Sequence, residues 1–543
     1  MRAGRKFGTQ AGGSPLQRMK DVLVVILGAC VFGIAAAAQV GTAEVQILPE
    51  HPMEGSAIAL IVSGTWPDSC VPRLAEVRIS GKHIVLAIES PATGCAQRPT
   101  PWKLEGTFEG LPAGAYVVTV THWRTGVPYE SVEQVIGRAT FQTWMPGCAP
   151  EDPVPEPSPA DLKALVRGNT GFALDLYAAV RTDADRAAQA AGREKDTNIF
   201  FSPYSISLCL AMAYAGARGE TERQMAEALR FSLPHGRLHP AFARLSLTLA
   251  GRTGLELSIA NSLWGQTGYP FLPSFPCLLG EIYGAPLREV DFLSDPESAR
   301  SAINRWVEEE TRERVRDLIP AGGIGPDTRL VLANAIYFKA AWLFPFPEEA
   351  TRDAAFHLLD GREVLAPTTV VQAPLGYAAG EGYQAVELPY AGGETSLVIL
   401  LPDRGRFEEF EGALNPERLA ECLDRLEARE VLLFLPKFTF TSEFVLSQVL
   451  AKLAMTDAFS EPADFSGMTG DRDLAISEVY HKAFVALDEA GTEAAAATAV
   501  VMVMGLPPEP RVEVRVDRPF LFLIRDRETG TILFLGRVLN PTT

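Results

Sequence analysis

The chain has 543 residues, 47% of them hydrophobic, and a mean hydropathy of +0.07. That length and balance predict two or more globular domains with a sizeable core, and exclude a disordered or wholly membrane-embedded protein. A net charge of −18 and a pI near 5 repel phosphate backbones, and no basic patch offsets them, so nucleic acid is excluded as a partner.

At the N-terminus Arg18 and Lys20 precede an apolar run from Val22 to Ala38 that closes in small residues, the layout of a cleaved signal peptide over 1–38. The run is shorter than the ~20 residues a membrane span needs, so a leader is expected rather than an uncleaved anchor. Leu27-Gly28-Ala29-Cys30 can alternatively be read as a lipoprotein box with Cys30 acylated. Either reading exports the chain.

Residues 43–145 alternate short strand-like runs, among them AIALIVSGTW, EVRISGKHIVLAIES and AYVVTVTHW, with turns rich in Gly and Pro. This pattern predicts a small all-β sandwich of immunoglobulin-like type without a catalytic set. Seven cysteines in so long a chain make no disulfide framework, and their spacing holds no CxxC or zinc pattern. Export permits bridges, and Cys70 and Cys95, both in turn-like stretches of the sandwich, are the expected pair. Cys209, Cys277 and Cys422 sit in apolar or helical contexts and are expected as buried free thiols, while Cys148 stays unassigned. PGCAPEDPVPEPSPA, residues 146–160, reads as a semi-rigid acidic linker.

From residue 161 the texture changes. Leu162, Leu165, Val166, Phe172, Leu176, Tyr177 and Val180 recur at helical intervals, and helical patterns continue to about Arg314. Strand runs then dominate, in VLANAIYFKAAW, YQAVELPY, TSLVILLP, VLLFLPKFTFT, PFLFLIRD and TILFLGRVL. An α+β domain over 161–543 is expected.

The chemistry of an enzyme is hard to find in it. None of the seven histidines stands in an HExxH pair, and neither a GxSxG elbow nor a phosphate-cradling Walker loop occurs. His235 and His239 lie in SLPHGRLHP, which reads as loop and predicts solvent exposure rather than metal binding. The expectation is therefore a non-enzyme with no metal and no cofactor. One stretch, DEAGTEAAAATAVVMVMGLPPEP from Asp488, defies local rules: its alanines favour helix, its Thr, Val and Met favour strand, and it offers no polar face.

NIFFSPYSISLCLAMAYAGARGETERQMAEAL, VLANAIYFKAAWLFPF, VLLFLPKFTF, HKAFVALDEAGTEAAAATAV and DRPFLFLIRDRETGTILFLGRVLNP, in that order, resemble the serpins over about Asp161 to Pro541. The resemblance implies a central mixed β-sheet with surrounding helices and an exposed reactive loop. The ambiguous stretch becomes that loop: bait for a protease first, a strand of the central sheet after cleavage. It assigns the loop hinge to Glu489, Gly491, Thr492, Glu493, Ala494, Ala495, Ala496, Ala497 and Thr498. Read as a strand, the loop points Thr492, Ala494, Ala496, Thr498, Val500, Met502 and Met504 to one side, all small or apolar.

The resemblance further assigns Ser202, Ser205, Asn334 and His481 to a buried polar cluster, the shutter, over which the sheet parts. Taken alone, Ser202 could cap a helix from Tyr204 or Ser205, and His481 could be a satisfied core histidine. Trp342, Lys437 and Glu489 would mark the breach where the loop enters. Counting from Glu489 places the reactive bond between Gly505 and Leu506; counting back from Pro519 moves it about three residues later, so Met502, Met504 and Pro508 stay open. The implied partner is an extracellular serine endopeptidase held in a covalent complex. No Lys or Arg lies between Lys482 and Arg511, which favours elastase-, chymotrypsin- or subtilisin-like targets, with a papain-like cysteine protease also open. Basic residues do not cluster near Arg230–Arg244, so heparin activation is not expected, and a monomer is. The competing reading is a non-inhibitory serpin that serves as a binding or structural module.

Overall fold

The computed structural model describes residues 25–26, 43–48, 58–66, 73–80, 83–91, 100–108, 114–125, 134–143, 156–192, 196–492 and 511–543. They fall into two units, one of residues 1–155 with 242–251 and 276–286, the other of the remainder.

The first unit holds β1 (Val25–Ile26), β2 (Ala43–Leu48), β3 (Ile58–Trp66), β4 (Arg73–Ser80), β5 (His83–Pro91), β6 (Thr100–Phe108), β7 (Gly114–Thr125) and β8 (Gln134–Thr143). They form two four-stranded sheets, ordered β1-β6-β3-β2 and β4-β5-β7-β8. Ile58, Leu60 and Val62, Ile84, Leu86 and Ile88, Val118 and Val120, with Leu104, bury together, following the two-residue period of strands with one packed face. The strands β5 and β7 run parallel from His83↔Val117 to Pro91↔Thr125. β6 intervenes in sequence and belongs to the other sheet, and such a crossover brings a chain back parallel. Immunoglobulin sheets are antiparallel, so the expectation narrows to an all-β unit with one mixed sheet. Cys30, Cys70, Cys95 and Cys148 lie outside the described residues.

The second unit opens with α1 (Pro159–Ala190), two residues before the expected boundary. Ser158 explains this start. Its hydroxyl accepts from the Asp161 amide at 3.2 Å, the Asp161 carboxylate accepts from the Ser158 amide at 3.0 Å, and Pro159 occupies the first turn, where no N–H is needed. In chain order there follow β9 (Ile199–Phe201), α2 (Pro203–Tyr214), α3 (Gly219–Ala228), α4 (His235–Ala250), β10 (Leu255–Gln266), α5 (Ser274–Tyr283), β11 (Arg288–Val290), α6 (Pro296–Glu310) and β12 (Leu330–Ala341), of which α4 from Phe242 and α5 from Pro276 belong to the first unit. The C-terminal part supplies β13 (Arg352–His357), β14 (Glu363–Gly380), β15 (Tyr383–Pro389), β16 (Thr395–Pro402), β17 (Glu427–Pro436), β18 (Phe438–Val445), β19 (Glu478–Leu487), β20 (Gly491–Thr492), β21 (Val512–Arg515), β22 (Phe520–Asp526) and β23 (Ile532–Val538).

A six-stranded central sheet runs β11-β10-β12-β20-β19-β18, and a nine-stranded sheet runs β21-β17-β14-β15-β16-β22-β23-β9 with β13 beside β14. α2 packs against β10 and β12 of the first and β23 of the second. Every residue of PYSISLCLAMAY is buried, as a helix apolar all round must be. No described helix is long and apolar enough to cross a membrane.

Two expectations are overturned here. His235 and His239 are not in an exposed loop: α4 starts at His235 and carries Pro240 within it, and His239 is buried. His235 Nδ1 meets His239 Nε2 at 3.0 Å, its Nε2 meets the Glu222 carboxylate at 3.0 Å, and its ring stacks on Tyr214. The two imidazoles lie nearly head-on, with centroids 5.2 Å apart, which suits one shared hydrogen. Burial pushes both pKa values down, that of His239 to about 3. Second, Cys277 is disulfide-bonded, whereas Cys209 and Cys422 are buried free thiols. An apolar helix suits either half a bridge or a free thiol, and only tertiary pairing decides.

Candidate functional site

The site is built across the middle and one end of the central sheet. β12 pairs antiparallel with β10 and parallel with β19, so Asn261↔Asn334 and Asn334↔His481 fall in one row across three strands. Beneath the row lies the start of α2. Ser202 is its N-cap, and the Ser202 hydroxyl accepts from the Ser205 amide at 3.1 Å.

The row and the helix end are joined by hydrogen bonds whose directions can be followed. The Ser202 amide donates to His481 Nε2 at 3.2 Å, so the imidazole carries its hydrogen on Nδ1, where it bonds Asn334 Oδ1. The Asn334 amide then donates to Ser205 Oγ at 2.6 Å and to Asn261 Oδ1, and Asn261 returns a bond to the Ser205 carbonyl at 3.1 Å. All five residues are buried, and Phe444 stacks on the His481 ring. Burial holds the His481 imidazole neutral, with its pKa lowered to about 3. A closed set of polar partners is stable in a core, and strands can separate there only if the partners are exchanged.

Asn261 is the member that sequence reasoning missed. Its signal was a single amide inside an apolar strand, in IANSLW, which parallels the LANAIYF around Asn334.

Above this row the sheet divides. β12 and β19 pair only from Val331↔Glu478 to Ile336↔Ala483. Higher up, Gly491 and Thr492 lie between them, with Thr492 opposite both Ala340 and Leu487 and antiparallel to each strand. The chain arrives by a tight turn. The Asp488 carboxylate accepts from the Ala490 and Gly491 amides at 2.9 and 3.1 Å, and the Gly491 carbonyl accepts from the Asp488 amide at 3.0 Å. A Cβ on Gly491 would sit 2.0 Å from the Ala340 carbonyl oxygen, so only glycine fits this approach.

Trp342, Lys437 and Glu489 surround the turn. Trp342 Nε1 donates to the Asp488 carbonyl at 3.0 Å, and its backbone amide donates to the Ala490 carbonyl at 2.9 Å. Lys437 Nζ reaches the Glu489 carboxylate at 2.7 Å, and the Thr351 hydroxyl donates to its other oxygen at 2.7 Å. Burial opposes the charge on Glu489, but these two bonds outweigh it and hold the carboxyl below its usual range. The remaining hinge residues, Glu493, Ala494, Ala495, Ala496, Ala497 and Thr498, and the reactive-bond candidates Met502, Met504, Gly505, Leu506 and Pro508 lie outside the described residues.

The central sheet thus receives a returning strand at one end, above a buried polar row. The family model for Serpin (serine protease inhibitor) matches residues 167–541. The chain belongs to the serpin family. It is 41% identical over 391 residues to a leukocyte elastase inhibitor of Sus scrofa, covering 70% of this chain and 100% of that protein. It is 40% identical over 384 residues to an uncharacterized serpin-like protein of Thermococcus kodakarensis, covering 70% and 86%. The solved structure of uncleaved ovalbumin superposes with a TM-score of 0.62 at 28% identity, covering 70% of this chain and all of that one.

Proposed function

We propose that this serpin is an exported inhibitor of serine endopeptidases that works by cleavage of its loop, acyl-enzyme trapping and strand insertion. The observation that carries the proposal is the position of Gly491 and Thr492, already paired at the mouth between β12 and β19 and heading down the sheet. Continuing that register, Thr498 meets Asn334 and His481, and Val501 meets Val331 and Glu478. Both flanking strands yield the same partners, so a strand from Thr492 to Val501 would fill the gap above Ile336 and Ala483 and part the β12–β19 pairing below it. The bond cut must then lie beyond Val501, which agrees with Gly505–Leu506 and with the alternatives Met502, Met504 and Pro508.

In this reading the protease's serine hydroxyl attacks the Gly505 carbonyl carbon. The bond to the Leu506 nitrogen breaks, the amine leaves with a proton from the protease's acid, and an ester joins the serine to Gly505. Freed at that end, the loop descends between β12 and β19 and carries the protease with it before water reaches the ester. Ser202, Ser205, Asn334 and His481, with Asn261, act as the row that must exchange partners. Trp342, Lys437 and Glu489 hold the entry.

The absence of Lys and Arg between Lys482 and Arg511 and the leukocyte elastase inhibitor relatives both favour elastase-like targets, with chymotrypsin- and subtilisin-like ones next. A leader over 1–38, whose removal would take β1 from beside β6, and the bridge at Cys277 would suit an oxidising compartment outside the cytoplasm. The all-β unit would then act as spacer or adhesion module on a monomer. Incubation of the full chain with pancreatic elastase and with subtilisin, followed by denaturing gels and intact mass, tests the proposal. A stable band with the mass of protease plus the loop-cleaved chain is expected; complete loop cleavage without a complex by every serine endopeptidase tried would reject it.

A further inference from the structure

The end of β15 contributes a residue that none of the assigned roles includes. Tyr390 follows β15 directly, bridges to Trp342, and is wholly buried. Its ring is fixed on two sides: Trp342 stacks on it with centroids 4.6 Å apart and planes 8° apart, and Phe338 meets it edge-on at 5.2 Å. The phenol oxygen, held in place by that packing, lies 2.7 Å from Thr492 Oγ1 in a buried hydrogen bond. Among the described residues Thr492 makes no other side-chain hydrogen bond, and only 3% of its surface is exposed.

We propose that Tyr390 is a positioning residue for strand insertion, a latch that keeps Gly491 and Thr492 seated between β12 and β19 in the uncleaved protein. The contact joins the nine-stranded sheet, through the end of β15, to the mouth of the central sheet. It converts an open gap into a started strand, with Thr492 already in register with Ala340 and Leu487. Once the loop is cut, the next residues extend a nucleus that exists, so insertion begins without a search for register. Burial raises the phenol pKa far above the working range, so the hydroxyl is intact wherever the protein is folded. The consequence for protease trapping rests on the inhibitory reading above; the seating of the hinge does not.

The test uses the full chain with Tyr390→Phe, Thr492→Val and Thr492→Ser. Phenylalanine keeps the stack on Trp342 and loses only the hydroxyl; serine keeps the hydroxyl of Thr492. Amide hydrogen exchange across 488–492 in the uncleaved protein is read first. Slow exchange is expected in the wild type and in Thr492→Ser. An increase of about fivefold is expected in Tyr390→Phe and Thr492→Val, the size one buried neutral hydrogen bond supports. Equal exchange in all four proteins, or unprotected hinge amides in the wild type, overturns the latch.

The second reading is the number of inhibitor molecules consumed per pancreatic elastase molecule trapped. It should rise by a similar factor in Tyr390→Phe and Thr492→Val, and by clearly less in Thr492→Ser, which keeps the hydroxyl that Tyr390 bonds. A ratio unchanged from wild type in Tyr390→Phe, despite faster exchange, overturns the positioning role. If the wild type traps no protease, the inhibitory reading fails and the exchange data still decide the seating.

Discussion

Thr492→Arg probes the entry of the hinge with a single charge. The Thr492 side chain is 3% exposed, bonded to Tyr390, and flanked by β12 and β19. An arginine there must either stay out of the sheet or bury a guanidinium whose nearest polar neighbour is a phenol hydroxyl. A buried charge left without its partner costs about 3–5 kcal/mol. At about 1.4 kcal/mol per factor of ten in rate, insertion of the cut loop slows by roughly a hundredfold to several thousandfold. Hydrolysis of the acyl-enzyme ester is untouched by the substitution, so the race between trapping and release shifts by that whole factor. The variant should behave as a substrate: mixed with pancreatic elastase, it yields loop-cleaved chain and active protease where the wild type yields complex. The assay is residual elastase activity titrated against inhibitor, with denaturing gels in parallel. Wild-type stoichiometry in Thr492→Arg would refute the reasoning, because a strand carrying that charge cannot enter the core unpaired.

Three further predictions concern the row and the breach. Asn261→Ala removes three hydrogen bonds, those with the Ser205 hydroxyl, the Ser205 carbonyl and the Asn334 amide; with each stranded group costing about 1–3 kcal/mol, urea unfolding should show a loss of at least about 3 kcal/mol, and a change under about 0.5 kcal/mol would contradict the hydrogen-bond set. His481 has a folded pKa near 3, below that of the unfolded chain, so only the unfolded state gains a proton as the pH falls from about 6.5 towards 3. Stability should decline across that window by up to about 1.4 kcal/mol per pH unit, and His481→Asn should flatten the decline; identical slopes would argue against a buried neutral imidazole. Glu489, with its folded pKa lowered, contributes stability above the usual glutamate range and loses it as the pH falls through the folded value. The stability advantage of wild type over Glu489→Gln should therefore shrink between pH 6 and pH 3 in thermal scans, and parallel curves would show that the pair with Lys437 contributes nothing.

The parts of this protein that were legible in its sequence are those set by local pattern. Alternation in AIALIVSGTW marks a strand, the 3.6-residue recurrence from Leu162 to Val180 marks α1, and the succession of helices and then strands marks an α+β fold. Serine before proline at Ser202 already carries a cap. Pairing was less visible. Nothing in EVRISGKHIVLAIES says that β5 lies parallel to β7, because strand partners are chosen by tertiary packing. Asn261 was overlooked because one amide in an apolar strand acquires meaning only when the register sets it beside Asn334. The opposite failure affected His235 and His239, where Gly236 and Pro240 disguised the first turns of α4 and hid the stacking on Tyr214. Cys277 is disulfide-bonded for a reason that lies wholly outside its own helix. Tyr390 ends a strand as an ordinary aromatic residue, and only the mouth of the sheet reveals what its hydroxyl touches.

The central claim is that the chain after Thr492 becomes a strand between β12 and β19 once the loop is cut. Amide hydrogen exchange along Leu330–Ala341 and Glu478–Leu487, before and after cleavage between Met502 and Pro508, tests it most directly. With a strand inserted, the upper parts of both strands, from Tyr337 and from Phe484 upward, gain lasting protection after cleavage. The cleaved protein should also unfold at a higher temperature than the intact one. Unchanged exchange in both strands, with a cleaved chain no more stable than the intact one, would contradict it.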